Sequence, residues 1–94
     1  MKTIEKKLII RDTEGLHVRP ASFFVQIAQK FKSNIIVKKG KKAVDGKSIM
    51  GMMTLALAKG SEIRITAQGE DAEKAIEELE NFVKRKREKE KQAI

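Results

Sequence analysis

Apolar residues in this chain recur at two spacings in turn, every second residue in some stretches and every third or fourth in others. A strand needs the first and a helix the second, so their succession dictates a mixed fold. The helical spacing is cleanest near the C-terminus, at Ala72, Ala75, Ile76, Leu79, Phe82 and Val83. Glu70, Asp71 and Glu73 stand at the start of that stretch, where the helix dipole favours negative charge. Just before it, Ile63, Ile65 and Ala67 alternate with Glu62, Arg64, Thr66 and Gln68, the pattern of a half-buried strand. Residues 34–38 read as another strand, Gly40 amid lysines as a hairpin turn, and Lys42 to Asp45 as the return strand.

The N-terminal half follows the same logic. In residues 3–10, Ile4, Leu8 and Ile10 share one face, and Lys6 interrupts it, as an edge strand tolerates. The stretch RDTEGLHVRP breaks the pattern: Gly15 permits an unusual backbone angle, and Pro20 suits only the first turn of a helix. Phe24, Ile27, Ala28 and Phe31 then trace one helical face. Ser48, a favoured N-cap, precedes IMGMMTLALA, which predicts a short helix ending near Lys59 and Gly60. The order is strand, helix, strand, strand, helix, strand, helix. Alternating strands call for a sheet with one wet face, with amphipathic helices over the other, an α+β fold. No internal repeat is visible.

A length of 94 residues suits one domain, expected over 1–83. The net charge of +8 is uneven, since residues 84–94 hold six basic and two acidic side chains and no core residues. That basic extension is expected to be frayed or disordered. There is no cysteine, which removes disulfides and thiolate metal sites, and one histidine alone makes no metal site. No signal peptide and no membrane insertion are expected, so a cytoplasmic protein is. Nucleic acid is open on charge, but Trp and Tyr are absent and the four Phe sit at core-like spacings, leaving no material for base stacking.

His17 is the only histidine and lies at the expected start of the first helix. Free amides and the dipole there attract anions such as phosphate. Arg19 can supply a forked, permanently charged phosphate donor. Imidazole is nucleophilic when neutral, as it largely is in the cell with a pKa of about 6.5. A phosphoryl carrier and a plain surface histidine both remain open on these residues. Ser48 is a helix cap or, alternatively, a place where phosphate would sit at a helix N-terminus. Ile49, Met50 and Met53, within IMGMM, exceed what one short helix can bury, so some should be exposed for partners to meet.

Two stretches together, GLHVRPAS at 15–22 and KSIMGMMTLA at 47–56, resemble the signature regions of the HPr family. These are the histidine-containing phosphocarriers of the bacterial sugar phosphotransferase system. The resemblance spans roughly residues 3–83 and implies an open-faced sandwich, four antiparallel strands under three helices. It implies a carrier rather than an independent enzyme, without cofactor. It further implies phosphorylation of His17 at Nδ1 by enzyme I, charged by phosphoenolpyruvate, and transfer to sugar-specific enzyme IIA proteins, with Arg19 assisting. Ser48 matches a serine phosphorylated by an HPr kinase/phosphorylase, after which the protein acts with a catabolite repressor. Ile49, Met50 and Met53 match an apolar docking surface, and a monomer is expected. Val18 departs from the family's usual Ala, and the tail after Val83 is longer and more basic than usual. The histidine separates this chain from the family's silent relative, Crh, which lacks one. A nitrogen-related phosphorelay homologue and a basic regulatory or nucleic-acid-binding module with His17 incidental are the alternatives.

Overall fold

The computed structural model describes residues 2–11 and 18–84. Its elements run β1 (Thr3–Ile9), α1 (Val18–Gln29), β2 (Asn34–Lys39), β3 (Lys42–Asp45), α2 (Ile49–Thr54), β4 (Glu62–Gln68) and α3 (Ala72–Lys84). The strands form one antiparallel sheet in the order β1-β4-β2-β3. This is the expected order of elements and the expected open-faced α+β sandwich. Gly40 makes the β2–β3 turn with φ of +59°, a left-handed conformation that costs glycine nothing.

The period-two residues point as their spacing requires. Leu8, Ile35, Val37, Ile63, Ile65 and Ala67 are buried, and the whole apolar stripe of α3 lies in the same core. Lys6 pairs in register with Ile65, so it too faces the helices, from the edge strand. Its ammonium lies 3.7 Å from the Glu80 carboxylate of α3, which also takes Lys84 at 2.6 Å. The lysine hydrogen bond from Lys84, helped by the field of Lys6, holds the Glu80 carboxyl below its ordinary value. Lys84, assigned from sequence to the frayed extension, is thus the last residue of α3; residues 85–94 lie outside the described residues.

The start of α3 is bound to the start of β2. Asp71 accepts from the amides of Lys32 (2.8 Å) and Ser33 (3.0 Å) and from the Ser33 hydroxyl, which is otherwise buried. The hydroxyl bond first, then the Lys32 amide, lowers the Asp71 carboxyl. Gly69 stands against this junction with φ of +152°, and a Cβ there would come within 2.5 Å of Ser33 Oγ.

Two expectations fail. The helix after Ser48 ends at Thr54, not near Lys59. Ala56 adopts φ of +51°, the left-handed residue that closes a helix, and this turn sends Leu55 and Leu57 into the core. Lysines from the β2–β3 hairpin hold the turn: Lys39 Nζ donates to the Leu55 (3.2 Å) and Ala56 (3.0 Å) carbonyls, Lys42 Nζ to Thr54 (3.0 Å). Phe23, too, is no core residue. It is 52% exposed, because the inward face of α1 runs through Ala21, Phe24, Val25 and Ala28.

Candidate functional site

The site has two parts, one at the start of α1 and one at α2. Helix α1 begins at Val18, the residue after His17, and Pro20 falls in its first turn, as its missing N–H requires. His17 and the side chain of Arg19 lie outside the described residues. Backbone amides at a helix start have no intrahelical acceptor, so the segment after His17 presents donors and a positive dipole end.

Ser48 is the N-cap of α2, with extended φ −114° and ψ 119°. Its hydroxyl accepts from the Gly51 amide at 3.1 Å and its carbonyl from Met52 at 3.0 Å. The chain arrives there through a rigid turn: Asp45 Oδ1 accepts from the Lys47 amide (2.9 Å) and the Asp45 carbonyl from the Ser48 amide (3.1 Å). Lys47 then ties this turn to the far end of α1, its Nζ donating to the Phe31 carbonyl at 2.7 Å while Gln29 Nε2 donates to the Lys47 carbonyl at 3.2 Å. Cations over exposed helix-end carbonyls complement the dipole. Sequence reasoning missed Lys39, Lys42 and Lys47 as the residues that hold α2. No local pattern reports them, since their acceptors lie 12 to 17 residues away.

Along α2 the apolar side chains divide. Met52 is 1% exposed, whereas Ile49 is 43%, Met50 81% and Met53 39%. Gly51 lets the helix lie close on β3, since a Cβ there would stand 3.2 Å from Val44 Cβ. The expected exposed trio of Ile49, Met50 and Met53 is therefore an apolar face of a helix whose N-cap is Ser48. Among the described residues no group of three or more His, Cys, Asp or Glu is arranged to hold a metal ion, and no helix is long and apolar enough to cross a membrane.

Residues 4–85 match the family described as the PTS HPr component phosphorylation site. The HPr-like protein Crh of Bacillus subtilis is 44% identical over 80 residues, 85% of this chain and 94% of Crh. The phosphocarrier protein HPr of Borreliella burgdorferi is 42% identical over 80 residues, 85% of this chain and 93% of the relative. The crystal structure of a phosphocarrier protein HPr from Bacillus anthracis superposes with a TM-score of 0.84 at 44% identity, covering 87% of this chain and 98% of that one.

Proposed function

The chain belongs to the HPr family of the phosphotransferase system, and on that premise we propose that it carries a phosphoryl group on His17 from enzyme I to sugar-specific enzyme IIA proteins. The family is one of phosphocarriers rather than of free-standing enzymes. The observation that carries the reading is the start of α1 at Val18, immediately after the histidine and with Arg19 in its first turn. Neutral imidazole attacks the phosphorus of the donor's phosphohistidine in line. The bond to Nδ1 forms as the bond to the donor nitrogen breaks. The Arg19 guanidinium and the free amides of α1 hold the transferring oxygens, which is the positioning and charge stabilisation this chemistry needs. Ile49, Met50 and Met53 form the docking face, shared by donor and acceptor, so contacts are small and transient. The carrier is a cytoplasmic monomer, its domain running through Lys84, the last residue of α3.

The test is incubation with enzyme I and phosphoenolpyruvate. Acid-labile phosphate on the parent and none on His17→Ala is the expected result; equal labelling of both ends the proposal.

The similarity to Crh and the cap geometry favour a second role, at Ser48. Phosphorylation by an HPr kinase/phosphorylase adds about −1.5 to −2 charge beside the docking face while staying at a helix N-terminus. That charge repels an acidic donor surface and creates a site for a basic partner such as a catabolite repressor. Ser48→Asp should therefore accept phosphate from enzyme I more slowly. A rate equal to the parent's removes the inhibitory role.

A further inference from the structure

Helix α2 carries three methionines in nearly adjacent positions with very different exposure: Met50 at 81%, Met53 at 39% and Met52 at 1%. Met50 is the most exposed large apolar side chain among the described residues. A thioether reacts with a hydroperoxide only where its sulfur can be reached. We propose that Met50, and after it Met53, is a reversible sulfoxidation site that tunes partner docking; this rests on the docking role assigned above.

The step balances with hydrogen peroxide as oxidant. A lone pair on Met50 Sδ attacks one peroxide oxygen, the S–O bond forms, and the O–O bond breaks. Sulfur is oxidised by two electrons, and the other oxygen leaves as water with both peroxide protons. The product is a polar sulfoxide in place of a soft apolar group. In the free protein this new oxygen stays hydrated, since Met50 points into solvent, so the fold is indifferent to it. In the docked state the oxygen must leave water, and a polar group buried without a hydrogen-bond partner is costly. The modification is thus felt by the partner and hardly by the fold. Met52 works the other way: it is core, and its oxidation requires the fold to open. A thiol-dependent methionine sulfoxide reductase returns the side chain to its starting state.

The full chain is treated with hydrogen peroxide, and the added oxygens are placed by fragment mass spectrometry. Oxidation is expected at Met50 first, then Met53, with Met52 intact while the circular dichroism stays native. Phosphoryl acceptance from enzyme I should then fall about thirtyfold, the lower bound for losing an interface hot spot, and recover after reductase treatment. The double variant Met50→Leu/Met53→Leu should show a treated-to-untreated rate ratio near one, whatever its own untreated rate, and Met50→Leu alone a ratio between that and the parent's. Oxidation of Met52 in step with Met50, or an undiminished rate with Met50 fully converted, overturns the proposal while leaving the carrier role standing. An untreated parent that takes no phosphate ends both.

Discussion

Helix α3 hides every apolar residue of its stripe, and α2 hides one of its four. The two helices differ in length and in charge. With 13 residues and charged side chains on its outer face, α3 sorts its surface into one apolar stripe and one wet face. With six residues and no charged side chain, α2 has too few turns to turn Ile49, Met50, Met52 and Met53 all to one side. What it cannot bury becomes a surface. Stability therefore rests on α3 and its junctions, and the exposed face of α2 is the surface proposed above for partner recognition.

The sharpest way to break this contrast is a truncation in each helix. Leu79→Ala, at a fully buried site, should cost about 3 kcal/mol in urea unfolding. Met50→Ala should cost under about 0.5 kcal/mol, yet slow phosphoryl acceptance. A large stability loss at Met50 would show that α2 is a core element after all. Next in size is Gly69→Ala, which combines a left-handed backbone with collision against Ser33. It should cost about 2 kcal/mol or more, read from the same unfolding curves. Removing the cap by Ser48→Ala should cost about 1 kcal/mol and speed amide exchange at Gly51.

The smallest effect concerns acid. The folded Asp71 carboxyl is lowered by the Ser33 hydroxyl and the Lys32 amide, so it titrates below its unfolded value of about 3.9. Its contribution is complete above that value and disappears as pH falls through the folded one. Asp71→Asn should make the stability curve flatter on that acid limb.

Much of this was legible in the chain. The six-residue stripe of α3, the alternation in β4 and the Ser48 cap depend on neighbours within a few positions, and local periodicity reports them faithfully. The exposed trio Ile49, Met50 and Met53 was legible for the same reason. Less legible was where α2 stops. Nothing near Ala56 announces a left-handed residue, because the lysines that hold that turn come from the hairpin. Phe23 belies the reading of all four phenylalanines as core-like: the helical spacing that turns Phe24 inward turns its neighbour out.

Sequence by itself determined the order of elements and the faces of the long helix and the strands, since each follows from local spacing. Tertiary structure alone decided how Lys6 finds Glu80 across the sheet edge, how Ser33 finds Asp71, and where α2 is cut short, with Met52 in the core and Met50 and Met53 outside. Those contacts join residues far apart in the chain, and only the folded arrangement makes one the other's nearest partner.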